Sequence, residues 1–123
     1  MVINCIYWER VYPQLITGKW LQNYVESNEL RLLAISDVTC DFKGSIDLLR
    51  KFTTIENPFF VFHPEKNSLT DDYVTQKTGI LYNSIENMPT QFPYDATNHF
   101  GGILIKYIPE ILKADINKNL EKQ

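Results

Sequence analysis

Apolar residues follow two different spacings along the first ninety positions of the chain. Four short apolar runs predict buried strands: Val2 to Tyr7, Leu30 to Ile35, Pro58 to Phe62 and Gly79 to Tyr82. Between Pro13 and Asn28 the apolar residues recur every three or four positions, which predicts a helix. Ser45 is placed to cap a second helix. Its apolar face would consist of Ile46, Leu49 and Phe52. Strands that alternate with helices predict an α/β layer fold with a largely parallel sheet.

The last third of the chain follows a different pattern. Pro93 is suited to the first turn of a helix that would continue to Ile108. The pair Gly101-Gly102, with three apolar residues after it, would equally open a strand, and spacing leaves both readings open. Pro109 begins a final helix, whose end from Lys113 to Gln123 is a solvated, charged tail. The sequence thus predicts carboxy-terminal helices after a sheet.

Composition narrows the class of protein. The chain has 123 residues, 44% of them hydrophobic and 22% charged, with a net charge of -3. This is the composition of a globular domain, or of a piece of a larger one, and it lacks the basic patch of a nucleic-acid-binding protein. No apolar run is long enough to span a membrane, and we expect no targeting segment at the amino terminus. Cys5 and Cys40 are expected to be reduced thiols in an intracellular compartment.

Two short runs with several polar residues are candidates for ligand binding, Ile35 to Asp41 and Ser84 to Pro89. Each follows a predicted strand, and ligands of open α/β sheets bind just beyond the carboxyl ends of strands. The two runs therefore predict a crevice that holds a cofactor. The sequence has no glycine-rich phosphate turn, no nucleophile elbow and no metal-ligand cluster. The residues alone indicate half of a nucleotide-binding sheet without its phosphate loop.

Other polar residues are expected to be structural. The stretch from Glu65 to Lys77 is predicted to be an exposed loop or a frayed helix, and its Asp71-Asp72 pair a solvated turn rather than a metal site. His63 and His99 are expected to have structural or surface roles, because neither has a partner at metal-ligand spacing. We therefore predict no metal site.

An ordered set of short motifs resembles one enzyme family. In chain order, the motifs are 3–9 (INCIYWE), 37–41 (DVTCD), 44–47 (GSID), 53–59 (TTIENPF), 84–89 (SIENMP), 92–97 (FPYDAT) and 100–101 (FG). Together they resemble the lysine–ketoglutarate reductase region of the bifunctional α-aminoadipic semialdehyde synthases, in the alanine dehydrogenase and saccharopine dehydrogenase superfamily. The resemblance is weakest over 14–29 and 65–78. It implies a partial Rossmann-like parallel sheet followed by carboxy-terminal helices.

The resemblance also implies a reaction and a set of contacts. Members of the family are oxidoreductases of lysine degradation in the mitochondrial matrix. They join lysine to 2-oxoglutarate and reduce the resulting imine to saccharopine with NADPH or NADH. Residues 1–89 would form the carboxy-terminal half of the dinucleotide-binding domain, and 90–123 a helical segment that returns to the substrate domain. The implied cofactor contacts are Tyr7, Val38, Ile85, Glu86, Asn87 and Met88. The implied substrate contacts are Thr39, Cys40 and Asp41.

The family's catalytic acid–base pair and phosphate turn have no counterpart in these residues, so the resemblance implies that the chain alone is inactive and assigns it no catalytic residue. Its partners would be the missing amino-terminal half or a homologous chain. NAD and NADP are not distinguished. Cys40 and Glu86 stand where the family pattern favours a smaller residue and Asp. The alternative reading is a truncated, non-catalytic relative that acts as a binding or regulatory module. A third is an unrelated small α/β interaction protein.

Overall fold

The fold is described from a computed structural model, which covers residues 1–114. The chain divides into two units, Met1–Glu86 and Asn87–Gln123, and each is described by itself. The first unit holds all seven strands of the described residues and one α-helix, and the second holds two α-helices. The α/β class with carboxy-terminal helices is confirmed.

A five-stranded sheet forms the centre of the first unit. Its strands are β1 (Val2–Asn4), β3 (Ala34–Asp37), β5 (Phe60–His63), β6 (Ser68–Thr70) and β7 (Ile80–Asn83), in the spatial order β1-β3-β7-β5-β6. Strands β1, β3 and β7 are parallel, whereas β5 runs antiparallel to both β7 and β6. The carboxyl ends of β1, β3 and β7 therefore lie at one edge of the sheet, and β5 ends at the opposite edge.

Residues 64–70 differ from the expected loop or frayed helix. A short 3₁₀-helix, Pro64–Lys66, leads into β6, which forms a hairpin with β5. Asn67 adopts a left-handed conformation (φ 46°) between them, as a tight reversal requires. This polar segment thus becomes an edge strand because its backbone pairs with β5, which its composition does not reveal.

A second, two-stranded sheet lies beside the first helix. It joins β2 (Ile16–Thr17) and β4 (Ile46–Asp47) in parallel, and α1 (Gly18–Ser27) follows directly. The Thr17 hydroxyl accepts a hydrogen bond from the Trp20 backbone N–H at 3.1 Å, which caps the helix. The helix predicted between 13 and 28 is confirmed, but it begins at Gly18.

The helix predicted after Ser45 is wrong. The Ser45 carbonyl accepts bonds from the Leu15 and Ile16 N–H groups, and Ile46 pairs with Ile16. Residues Ile46, Leu48 and Leu49 are all buried, a spacing that an extended and turning segment satisfies better than one helix face. Pairing with a segment thirty residues away overrides the local helical pattern.

The core of the first unit consists of side chains from α1, from both sheets and from the loops that follow β3 and β4. Its members are Leu21, Ile35, Cys40, Ile46, Leu48, Leu49, Phe60, Phe62, Ile80 and Tyr82. Leu21 brings α1 onto this core, and the rings of Phe60 and Tyr82 stack with centroids 5.0 Å apart. Tyr82 is thereby held at the end of β7, next to the polar edge of the sheet.

The second unit is helical. A 3₁₀-helix, Met88–Gln91, precedes α2 (Pro93–Leu104) and α3 (Ile108–Lys113). The helical reading of the stretch after Pro93 is therefore confirmed over the strand reading, although α2 ends at Leu104. The final helix begins at Ile108, and its predicted tail beyond Ala114 lies outside the described residues. None of the helices within 1–114 is long and apolar enough to cross a membrane.

Candidate functional site

Polar side chains from three parallel strands meet at the edge of the sheet where those strands end. Burial alternates along β3 and β7, so Asp37 points to the same face as Ile35, and Tyr82 to the same face as Ile80. Asn4 ends β1, and all three polar side chains are at most 2% exposed. The strand pattern therefore forces a carboxylate, an amide and a phenol into the core at one point.

The Asp37 carboxylate is the centre of this group. Its Oδ1 accepts bonds from Asn4 Nδ2 at 2.7 Å and from the Cys40 backbone N–H at 3.1 Å. Its Oδ2 accepts a bond from the Tyr82 hydroxyl at 2.7 Å. Burial, together with this bond to Asp37 and its charge, raises the pKa of Tyr82 far above its usual range, so the hydroxyl stays protonated. Asp37 thereby joins the ends of three strands.

Asn4 extends the network to two hydroxyl groups. Its Nδ2 lies 2.7 Å from Ser45 Oγ and 3.0 Å from Thr39 Oγ1. Its Oδ1 accepts from the Ile6 N–H at 3.3 Å, while the Val38 N–H donates to the Asn4 carbonyl at 2.9 Å. Because Ile6 bonds back to Asn4 rather than onward to β3, regular pairing of β1 with β3 ends at Val38. The segments that follow the two strands are free to separate there.

The end of β7 is held by a second set of bonds. The Thr53 N–H donates to the Ser84 carbonyl at 3.0 Å, and the Ser84 N–H donates to Thr53 Oγ1 at 3.1 Å. Ser84 Oγ also donates to the Lys51 carbonyl at 3.0 Å. Both Thr53 and Ser84 are buried, so these bonds are shielded from water. They fix the path of the chain just before Ile85.

Cys40 links the two strand-end segments. Its thiol lies 3.7 Å from the Ile85 carbonyl and is the donor of that weak bond. Burial, and then the charges of Asp37, Asp41 and Glu86, raises the pKa of Cys40 to about 11. At pH 8 only about one Cys40 thiol in a thousand is therefore ionised, and the thiolate is the reactive form. Cys40 is a packing and hydrogen-bonding residue at this edge.

The two cysteines should react with thiol reagents at very different rates. Cys5 is exposed, whereas Cys40 is buried and protonated. In the native chain at pH 8 we expect one thiol to react with Ellman's reagent at least about a hundredfold faster than the other. Cys5→Ser should remove the fast phase, and Cys40→Ser should leave it unchanged. Two thiols of equal rate in the native chain, with both reacting in a denaturant control, would contradict this burial.

The structure brings some of the predicted contact residues together. Val38, Thr39, Cys40 and Ile85 lie at the same strand-end edge, through the bonds described above. Glu86 is exposed there and is close enough to raise the Cys40 pKa. Asp41 is exposed and begins a tight turn, in which its carbonyl accepts a bond from the Gly44 N–H at 2.9 Å. The roles of these residues in binding stay predictions.

Three further predicted contact residues, Tyr7, Asn87 and Met88, are described by their own surroundings. Tyr7 is 83% exposed and lines an aromatic depression of about 470 Å³ together with Trp8, Tyr12 and Pro13. It takes no part in the network around Asp37. Asn87 and Met88 belong to the second unit, where Asn87 adopts a left-handed conformation (φ 56°) ahead of the 3₁₀-helix. No group of three potential metal ligands occurs within residues 1–114.

Sequence reasoning missed Asn4, Ser45 and Tyr82 as members of this site. A signal for two of them was present, since Asn4 and Tyr82 stand within predicted strands at positions that alternation places toward the core. A polar atom buried in this way needs a partner, which would have pointed to Asp37. Ser45 gave no such signal, because its hydroxyl is equally suited to a helix cap.

Comparison with known proteins shows which proteins the chain is similar to. No protein-family model matches the chain. An alpha-aminoadipic semialdehyde synthase of Arabidopsis thaliana is 39% identical over 108 residues, which is 88% of this chain. The chain is homologous to a segment of alpha-aminoadipic semialdehyde synthase. The mitochondrial synthases of Rattus norvegicus and Mus musculus are each 36% identical and cover 99% of the chain. The chain spans only 10–14% of the length of these synthases. The resemblance drawn from the motifs is confirmed.

Proposed function

We propose that this chain forms part of an NAD(P)-dependent reductase that joins lysine to 2-oxoglutarate and reduces the imine to saccharopine. The observation that carries the proposal is the 36–39% identity to alpha-aminoadipic semialdehyde synthases over most of the chain. The order of the strand-end motifs favours the reductase region of those enzymes. The word mitochondrial in the names of the rat and mouse relatives supports a mitochondrial location for the protein, and the motif resemblance implies the matrix.

The strand-end edge fits one end of a dinucleotide. Three parallel strands finish there, and the regular pairing of β1 with β3 ends at Val38, which leaves an edge of the kind where such sheets bind ligands. No phosphate-binding glycine turn is present in the sequence, so these residues suit the nicotinamide end rather than the pyrophosphate. When bound, the nicotinamide supplies the hydride.

The chain's own residues would position the reactants. Val38 and Ile85 would border the nicotinamide, together with Glu86. Thr39 and Asp41 carry the polar groups that can meet an amino-acid substrate, since a hydroxyl both donates and accepts while a carboxylate accepts. Cys40, protonated and buried, would keep these two neighbours in place rather than exchange protons. The acid–base groups that the imine requires would come from the remainder of the enzyme.

A segment exchange tests this function. In the Arabidopsis synthase, the homologous segment is replaced by this chain, and oxidation of NADPH or NADH is followed with lysine and 2-oxoglutarate both present. We expect the hybrid to retain activity that needs both substrates, because the chain would supply the same strand-end contacts. The isolated chain should show none, since it lacks acid–base groups and a phosphate turn.

Two controls make the exchange decisive. A scrambled segment of equal length should abolish the activity, and omission of either substrate should stop cofactor oxidation by the active hybrid. A soluble, folded hybrid without substrate-dependent oxidation would contradict the proposed function. Lysine-dependent turnover by the isolated chain would contradict its dependence on the remainder of the enzyme.

A further inference from the structure

A carboxylate that is 1% exposed and has no cationic partner sits at the centre of the candidate site. The only ion pair within residues 1–114 joins Lys51 to Asp71 on the surface, so Asp37 is held by hydrogen bonds alone. A buried charge is costly unless it is hydrogen-bonded, and removing a donor leaves part of that cost uncompensated. The arrangement around Asp37 is therefore sensitive to each of its donors.

The donors of Asp37 come from three different parts of the edge. Asn4 belongs to β1, Tyr82 to β7, and both the Cys40 N–H and the Thr39 hydroxyl to the segment that follows β3. The bond to Cys40 spans three positions and bends the chain between them, as a side-chain turn does. Tyr82 cannot swing away from Oδ2, because its ring is stacked on Phe60 and is fully buried. One carboxylate thus ties the conformation of residues 38–41 to the rigid ends of two neighbouring strands.

We propose that Asp37 is a positioning residue for the substrate-contacting segment Thr39–Asp41, and that the Tyr82 hydroxyl holds its carboxylate in place. The inference rests on the proposed reductase function. Asp37 does not touch the ligand, since it is buried beneath the segment that would. Its effect reaches Thr39 directly, because the Thr39 hydroxyl donates to Asp37 Oδ1 at 3.4 Å, and it reaches Asp41 through the backbone of Cys40.

Three variants of the hybrid reductase test this role. Tyr82→Phe removes one hydroxyl, Asp37→Asn keeps the shape but removes the charge, and the third variant combines both. We expect each single change to raise the KM for lysine about tenfold with little change in kcat, because loss of ground-state positioning weakens binding uniformly. Because Tyr82→Phe and Asp37→Asn both remove the charge-assisted bond between the Tyr82 hydroxyl and the carboxylate, the double variant should raise the KM no further than Asp37→Asn alone.

Ile80→Val is the matched control. Ile80 is equally buried at the start of β7, away from the polar edge, so its truncation lowers stability without touching the network. Its KM for lysine should equal that of the unmodified hybrid. In the 123-residue chain, Tyr82→Phe should also speed hydrogen exchange of the Cys40 amide about tenfold, whereas Ile80→Val should not do so selectively.

The outcomes separate this inference from the function on which it rests. An inactive, folded hybrid overturns both. An active hybrid whose KM for lysine is unaffected by Tyr82→Phe and Asp37→Asn overturns the positioning role alone. If Ile80→Val raises the KM for lysine as much as Tyr82→Phe does, the positioning role is also overturned, because the rise in KM would then result from lower stability of the fold. Additive effects in the double variant would contradict the link between Tyr82 and Asp37.

Discussion

Gly79→Ala is expected to cost the first unit about 2–5 kcal/mol of unfolding free energy, a large part of the stability of a small domain. Gly79 stands directly before β7 with φ of 103°, a conformation that residues with a Cβ rarely adopt. An added Cβ would lie 2.6 Å from Val61 Cγ1 and 2.9 Å from the Phe62 carbonyl oxygen. Both contacts belong to β5, so relief requires β5 and β7 to move apart.

Gly102→Ala provides the control for this change. Gly102 lies within α2, and nothing lies within 4 Å of the position that its Cβ would occupy. Alanine there should stabilise the helix by about 0.5–1 kcal/mol, because glycine is a poor helix former. Urea denaturation followed by circular dichroism measures both variants. Equal effects of the two substitutions would show that β5 does not approach Gly79 as described.

Leu21→Ala is expected to lower the unfolding free energy by about 2–5 kcal/mol. Leu21 is 1% exposed and attaches α1 to the core, so truncation leaves a cavity between the helix and the strands. Apart from Gly18, Leu21 is the only buried residue of α1. Loss of this contact should lower the thermal midpoint and increase protease cleavage within α1.

Leu33→Ala is the matched control for Leu21→Ala. The same atoms are removed, but Leu33 is 71% exposed, and its role in the sheet is a backbone bond from the Leu81 N–H at 3.0 Å, which alanine preserves. Its effect should stay within about 0.5 kcal/mol. The two unfolding free energies can be compared by thermal and urea denaturation. A loss for Leu33→Ala as large as that for Leu21→Ala would contradict the packing of α1 on this core.

Much of the fold was predictable because its elements are specified locally. The short apolar runs located β1, β3, β5 and β7 to within a few residues, and the spacing of apolar residues located α1. After Pro93, spacing left helix and strand open, and the helix implied by the resemblance is the one that the structure has. These predictions depend on which face of a segment is apolar, and the residues of the segment itself determine that face.

The errors share one physical cause. The segment after Ser45 looks like a capped helix, yet its backbone pairs with Ile16, thirty positions away. The polar run around Ser68 looks like a loop, yet it completes a hairpin with β5. The sheet is largely parallel as predicted, and the direction of its one antiparallel strand, β5, is likewise set by its pairing with β7 and β6. In each case a hydrogen-bonding partner distant in sequence outweighs the local preference.

The amino-acid pattern was enough to predict the α/β class, the polar strand ends and, through ordered motifs, the relationship to the synthases. It did not predict that Asp37 would bond to Asn4 and Tyr82, which lie 33 and 45 positions away. Those contacts exist because parallel pairing brings three strand ends to one edge, and because a buried carboxylate requires donors wherever the fold can place them. Periodicity is a local property of the chain, whereas the choice of partners depends on how distant segments pack.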